Sequence, residues 1–179
     1  GPQNESWSKI ESNLKDLTSR RPRDAFAWLA LAQLHRLQAK FPAAESAATA
    51  AVALRPDLEL AWQLRGMVYL AQRRWQDAEA DFSRAIELRT DLQSGVQPTA
   101  WFNRGIARQE QGQHEAAVAD FTAAIEQGFR ETRVYFSRAK SHQALGKLEP
   151  AAADLKRGQE LEPRDALSYV ARALSYLPQ

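Results

Sequence analysis

The sequence contains no cysteine, and this absence excludes disulfide bonds, thiolate metal sites and cysteine nucleophiles. Glycine and proline are also scarce, with eight residues each. Alanine is the commonest residue, and it loses the least conformational entropy in a helix. With 44% hydrophobic residues the chain has enough apolar surface to bury a core, so the composition predicts an ordered, all-helical protein.

The chain has no region of one predominant charge. Its 24 basic and 22 acidic residues give a net charge of +2 and are spread along the whole sequence. The densest basic cluster, Arg20, Arg21 and Arg23, is interpreted as a solvated helix end rather than a targeting or phosphate-contact site. Without a field of one sign to attract nucleic acid, we expect no nucleic-acid partner.

No long hydrophobic run is present. The longest uninterrupted apolar run, Ala25 to Ala32, is too short to span a bilayer, and the N-terminus does not resemble a signal peptide. We therefore expect a soluble chain without membrane insertion; its compartment stays unknown, with the cytoplasm as the default. The start Gly1-Pro2, without methionine, is typical of a cleaved expression tag, which suggests a fragment of a longer protein.

An internal repeat is the strongest signal in the sequence. Four aromatic residues, Trp28, Trp62, Trp101 and Tyr135, are separated by 34, 39 and 34 residues. Each is followed by a small residue four positions later and by an alanine sixteen positions later. The small residues are Ala32, Gly66, Gly105 and Ala139, and the alanines are Ala44, Ala78, Ala117 and Ala151. A fixed period of this length is typical of a repeat architecture.

Each repeat has two apolar stripes at helical spacing, such as Trp62 and Tyr69 followed by Ala78 and Phe82. A short break separates the two stripes, so each unit is predicted to be a hairpin of two helices. Gly66 and Ala78 are equidistant from the predicted turn, and we expect them to face each other and let the helices approach closely.

These recurring positions resemble the tetratricopeptide repeat, with Thr90, Phe129 and Ala48 as departures from its pattern. The resemblance implies an all-α, right-handed superhelical solenoid of antiparallel helix pairs, with four repeats and a half repeat at each end. The expected segments are 1–23 for the tag scar and a single N-terminal helix, 24–163 for the four repeats with an inserted surface loop at 93–97, and 164–179 for a C-terminal capping helix. Within the array the repeats have the approximate bounds 25–58, 59–92, 98–131 and 132–165.

Three Arg and Asp pairs are sixteen residues apart and symmetric about their hairpin turns: Arg65 with Asp81, Arg104 with Asp120, and Arg138 with Asp154. The first repeat has Leu31 and Ala47 at these positions, so both members are replaced together by apolar residues. A ligand site does not explain that joint replacement. We interpret the pairs as structural links between the two helices of a repeat.

The sequence offers no candidate active site. The three histidines, His35, His114 and His142, occupy repeat positions that hold aromatic residues in other copies, so we interpret them as structural. His114-Glu115 begins like a zinc-protease motif but lacks its second histidine, and there is no glycine-rich phosphate loop. We therefore expect no catalytic residue, no metal, no cofactor and no enzyme activity.

The resemblance implies a concave groove, lined by the first helix of each repeat, that binds an extended peptide or a helix of a partner protein. The groove residues expected from it are Leu29, Gln33, Arg36, Gln63, Met67, Leu70, Phe102, Asn103, Ile106, Gln109, Arg133, Phe136, Lys140 and Gln143. We expect Met67, Phe102, Ile106 and Phe136 to form an apolar strip that serves the ligand more than the core.

The family's two-carboxylate clamp for the acidic tails of heat-shock chaperones is mostly missing, since Gln63 and Met67 replace its Lys and Asn. Chaperone-tail binding is therefore not expected. Two functional hypotheses remain: a scaffold that binds a separate partner, and an interaction or self-association module of a larger enzyme or signalling protein. The excess of arginine over lysine fits a bacterial source for that larger protein. The oligomeric state is left open.

Overall fold

The structure, a computed structural model, describes residues 2–88, 98–163 and 166–174, apart from the side chains of residues 2–5, 167 and 174. These residues form ten α-helices and no β-strand. In chain order the helices are α1 (Pro2–Arg20), α2 (Ala25–Leu37), α3 (Phe41–Leu54), α4 (Glu59–Ala71), α5 (Trp75–Glu87), α6 (Thr99–Glu110), α7 (His114–Glu126), α8 (Thr132–Ala144), α9 (Leu148–Glu160) and α10 (Ala166–Leu174). The predicted loop 93–97 lies outside the described residues.

The chain divides into two compact units, Gly1–Thr90 with α1 to α5 and Asp91–Gln179 with α6 to α10. In the first unit α2 packs on α3 and α4 on α5, and in the second α6 packs on α7 and α8 on α9. Helix α1 packs on α2, and α10 packs on α8. The predicted all-α fold of four helix pairs, with a single helix before and after them, is confirmed.

The four hairpin turns share one backbone feature. Ala39, Arg73, Gly112 and Gly146 occupy equivalent positions in these turns and have φ angles of 55°, 60°, 77° and 70°. This left-handed conformation ends the first helix of each pair and reverses the chain into the second. Glycine adopts it without cost, whereas Ala39 and Arg73 carry a Cβ that crowds the backbone there.

The small residues at the helix crossings make room for an aromatic ring. A Cβ added to Gly66 would lie 3.0 Å from two carbons of the Phe82 ring, and one added to Gly105 would lie 2.6 Å from Phe121. The atoms nearest to Gly66 belong to Phe82, one turn beyond Ala78 along α5, so a phenyl ring fills the space at this crossing. That Gly66 and Ala78 face each other stays a prediction.

The two units have different cores. In the first unit the core is rich in alanine and includes Ala32, Ala48, Ala51 and Leu64. In the second unit it contains the rings of Phe102, Phe121, Phe129 and Tyr135. Ala48 and Phe121 occupy equivalent repeat positions and are both fully buried. The departure at Ala48 thus gives a smaller core without opening it to solvent.

Candidate protein-binding faces

Within each unit the first helices of adjacent repeats are in contact, α2 with α4 and α6 with α8. All of the groove residues expected from the sequence lie on these four helices. Each unit therefore presents its own candidate face, built from two neighbouring helices.

Four of the expected groove residues are buried inside their unit. Leu29 and Gln63 are each 5% exposed, and Phe102 and Gln109 are each 6% exposed. Gln109 is occupied within the fold, because its Nε2 donates to the backbone oxygen of Ser137 at 2.7 Å and to Oγ of Ser141 at 2.6 Å. The Gln109 amide nitrogen therefore ties α6 to α8 and has two acceptors within the fold.

Phe102 is a core residue. Its ring centroid lies 5.8 Å from that of Phe121 and 5.0 Å from that of Phe129. The guanidinium of Arg133 lies 5.0 Å from the Phe102 ring centre and covers it as a cation–π contact. The expectation that Phe102 serves a ligand more than the core is therefore corrected: the loop residue Phe129 and the side chain of Arg133 enclose it.

The other expected groove residues keep part of their surface exposed. They are Gln33, Arg36, Met67, Leu70, Asn103, Ile106, Arg133, Phe136, Lys140 and Gln143, of which Lys140 is the most exposed. Several already have partners within the fold. Arg36 Nε donates to Oε1 of Gln33 at 3.0 Å, and the Phe136 ring lies against Gly158 of α9.

Two exposed apolar residues of the first unit are not among the groove residues expected from the sequence. Phe26 is 58% exposed and Leu60 is 49% exposed, and they occupy equivalent positions, two residues before the repeat aromatics Trp28 and Trp62. Arg133, which was among the expected groove residues, has this same position in the fourth repeat. Extending that position to the other repeats would have identified both residues.

We define the first-unit face by Phe26, Gln33, Leu37, Leu60 and Met67. On α2 the spacings of seven and four residues place Phe26, Gln33 and Leu37 on one stripe, and on α4 the spacing of seven does the same for Leu60 and Met67. Leu37 is 57% exposed. This face is apolar, apart from the amide of Gln33.

We define the second-unit face by Asn103, Ile106, Glu110, Arg133 and Lys140. Its charges are already paired. Arg133 Nε lies 2.8 Å from Oε2 of Glu131, and Lys140 Nζ lies 3.5 Å from Oε1 of Glu110. A carboxylate from a partner protein would have to compete with these intramolecular acids.

Two of the histidines, His35 and His142, are in environments whose burial affects their titration. His35 is 5% exposed, and its burial lowers its pKa. His142 Nε2 lies 3.9 Å from Oδ2 of Asp154; burial lowers the pKa of His142, and the Asp154 charge opposes that shift.

Within the described ranges there is no group of three or more acidic or histidine side chains that could hold a metal ion. The helices of these ranges also include none with the length and apolar character of a membrane span.

The predicted Arg and Asp contacts are confirmed. Arg104 and Asp120 are joined by hydrogen bonds of 2.9 and 2.7 Å, and Arg138 and Asp154 by bonds of the same two lengths. The third pair, Arg65 and Asp81, has bonds of 2.7 and 2.8 Å. Each pair joins the first helix of a repeat to the second.

Helix pairs repeated in tandem, joined by equivalent turns and by recurring ion pairs, define a helical repeat protein. Two family models described as tetratricopeptide repeat match residues 57–127 and 132–165, together more than half of the chain. The chain therefore belongs to the tetratricopeptide repeat family. Domains of this family are protein-interaction scaffolds, and this chain is a scaffold of that kind.

Solved structures of MamA proteins share the fold. One crystal structure of MamA is 18% identical, with a TM-score of 0.78, and the match covers 99% of this chain and 91% of that chain. MamA from Desulfovibrio magneticus RS-1, from residue 41 to its end, is 15% identical with a TM-score of 0.79, covering 89% and 87%. No curated protein is significantly similar in sequence.

Proposed function

We propose that the first-unit face binds an amphipathic segment of a partner protein, either an extended peptide or a helix. The observation that supports this is the exposure of Phe26 and Leu60, about half of each side chain, at equivalent positions on the neighbouring helices α2 and α4. Exposed apolar side chains that lie together on a surface mark interaction sites more often than scattered ones do.

The first-unit face suits such a ligand in its chemistry. Full burial of a Phe or Leu side chain stabilises a complex by roughly 1.5–3 kcal/mol, so covering the exposed halves of Phe26, Leu37 and Leu60 contributes about 1 kcal/mol each. Met67 beside them is a flexible side chain that adapts to different apolar surfaces. The amide of Gln33 can hydrogen-bond to a peptide backbone at the edge of the apolar area.

The second-unit face is the weaker candidate, because the acids that pair with Arg133 and Lys140 compete for the same cations. Its exposed charges give it a role in orienting a partner rather than in holding one, since surface ion pairs are worth at most about 1 kcal/mol. We therefore assign the affinity to the first-unit face.

A pull-down from cells of the source organism tests this proposal. The bait proteins are the wild type, the double variant Phe26→Ser with Leu60→Ser, and the control Leu148→Ser, which replaces an apolar residue that is 71% exposed on the second unit. We expect the same partner with the wild type and the control, and its loss with the double variant. Retention of the partner by a correctly folded double variant would refute the proposal.

A further inference from the structure

The first-unit face has a cation beside it that no acid neutralises. The guanidinium of Arg36 lies next to Gln33, because its Nε donates to Oε1 of that residue at 3.0 Å. This amide takes one of the five N–H donors of a guanidinium and cancels none of its charge. Among the described residues no carboxylate forms an ion pair with Arg36. The second-unit face differs, since its two cations are paired with acids of the same unit.

The two helices that build the first-unit face contain almost no acid. Helix α2 has none, and α4 has only Glu59, which accepts a hydrogen bond from Nε2 of Gln63. Glu59 is equivalent to Ala25 of α2, eleven residues before Arg36. At 1.5 Å per residue these levels are roughly 16 Å apart along the helix axis. This is about twice the Debye length at physiological ionic strength, so Glu59 does not compensate the charge of Arg36.

The first-unit face has few partners for an exposed peptide backbone. An extended peptide carries backbone N–H and C=O groups that its binding site must satisfy. Of the five residues that define the face, only Gln33 is polar, and its oxygen already accepts from Arg36. A helix satisfies its own backbone and needs only an apolar surface for its apolar stripe. The face therefore suits a helix better than an extended peptide.

We propose that the first-unit face binds an acidic amphipathic helix of a partner protein, with its apolar stripe on Phe26 and Leu60 and one of its carboxylates on Arg36. This inference rests on the proposed function, and it narrows the ligand to one conformation and one sign of charge. A guanidinium and a carboxylate form two parallel hydrogen bonds when they meet side by side, which gives the contact a defined orientation.

The spacing of the face predicts where the acid lies in the ligand. Phe26 and Arg36 are ten residues apart on α2, which is about 15 Å along its axis. A ligand helix that runs along α2, in either direction, rises by the same amount per residue. The acid should therefore follow or precede the apolar residue on Phe26 by roughly two to three helical turns.

The test is selection from displayed peptides of about 18 residues, or five helical turns, with the whole chain as bait. One library has leucine fixed along a stripe of its first half, and a second library has it in the second half, because either direction of the ligand is possible. All other positions vary among Ala, Gln, Glu and Lys. We expect the wild type to enrich Glu over Lys in the half without leucine.

Four variants serve as further baits. Arg36→Glu should enrich Lys instead of Glu, and Arg36→Gln should show no preference between them. The control Arg130→Glu reverses an exposed arginine of the second unit and should keep the preference for Glu. The double variant Phe26→Ser with Leu60→Ser should enrich no peptide. Circular dichroism checks that each bait keeps its helices, and Arg36→Gln carries the test if Arg36→Glu unfolds.

Fluorescence polarisation then measures the affinity of one enriched peptide. Replacing its selected Glu by Gln should weaken binding to the wild type about threefold to fivefold, as expected for a partly exposed ion pair, and should not change binding to Arg36→Gln. A proline at the centre of the peptide should abolish binding, because it breaks a helix. Peptides that tolerate this proline would overturn the helical ligand.

The outcomes separate this inference from the proposed function. Peptides that the wild type enriches without a preference for Glu would overturn the acidic ligand and leave an apolar binding face in place. So would a preference for Glu that Arg36→Glu retains. If the wild type enriches no peptide beyond those of the double variant, the proposed function itself is contradicted.

Discussion

Arg65 and Asp81, sixteen residues apart on facing helices, are joined by two hydrogen bonds of 2.7 and 2.8 Å. Asp81 is 4% exposed; its burial raises its pKa, and the hydrogen bonds from Arg65 oppose that shift. In the first repeat the equivalent residues, Leu31 and Ala47, are both buried in the apolar core. The same position in the fold therefore accepts either a complete ion pair or a complete apolar contact.

The cost of removing one member of this pair should exceed the cost of removing both. Asp81→Ala leaves the Arg65 guanidinium buried without its acid, and we expect a loss of about 3 kcal/mol in the free energy of unfolding. The double variant Arg65→Leu with Asp81→Ala copies the first repeat and should lose much less. Urea denaturation measures both; equal losses would contradict the structural role of the pair.

The ion pair of the second repeat is easier to test in isolation than the ion pair of the third repeat. In the third repeat Arg108 also donates to Asp120, at 3.0 Å, so replacing Arg104 and Asp120 together would also remove an acceptor of a second guanidinium. The sequence showed the pairs but did not show this additional donor, because Arg108 lies outside the symmetric spacing.

Phe102→Ala should destabilise the second unit rather than affect ligand binding alone. The ring is enclosed by Phe121, Phe129 and Arg133, and truncating a buried Phe costs about 3–5 kcal/mol. Lys140→Ala, at an exposed position, is the control and should change stability by less than about 0.5 kcal/mol. Thermal unfolding followed by circular dichroism compares them, and an unchanged melting temperature for Phe102→Ala would place the ring outside the core.

In the hairpin turns, two substitutions should change the stability of the fold in opposite directions. Gly112→Ala should destabilise the fold by about 1 kcal/mol, because its φ of 77° crowds a Cβ against the backbone even though no other atom lies nearby. Ala39→Gly relieves the same strain at the equivalent turn and should stabilise the fold by up to about 1 kcal/mol. Denaturant midpoints that move in the same direction for both variants would contradict this explanation.

The ion pairs of Glu11 predict a specific dependence of stability on pH. Lys15 and Lys40 both lie 2.7 Å from its carboxylate and lower its pKa from 4.5 to about 2. A lowered carboxyl pKa stabilises the fold above pH 4.5, and that contribution is lost as the pH falls towards 2. Glu11→Gln should therefore be less stable than the wild type near neutral pH, and the difference should shrink between pH 4.5 and 2. A difference independent of pH would show that the two lysines do not act through the charge.

The fold could be predicted from the sequence because the repeat multiplies a weak signal. A single aromatic residue followed by a glycine is weak evidence for a helix crossing. The same pair recurs at Trp62 and Gly66 and at Trp101 and Gly105, so the crossing is indicated independently in two repeats. The Arg and Asp contacts were predictable for the same reason, since symmetry about a hairpin turn fixes which residues meet.

The candidate site could be predicted only in part. Helical spacing placed Phe102 on the correct face of α6, but it could not show that the loop residue Phe129 and the side chain of Arg133 enclose the ring. Likewise, spacing could not show that Gln109 bonds to α8. Which face residues remain available to a ligand depends on tertiary contacts from outside the repeat period.

The most direct test of partner binding at the first-unit face uses the absence of cysteine from the chain. A single cysteine introduced by Met67→Cys is labelled with a photo-crosslinker, and the matched control carries Leu148→Cys with the same label. After irradiation with the partner captured by the wild type, we predict a covalent adduct from position 67 and none from position 148. An adduct from position 148 alone would contradict the account and place the partner elsewhere on the protein.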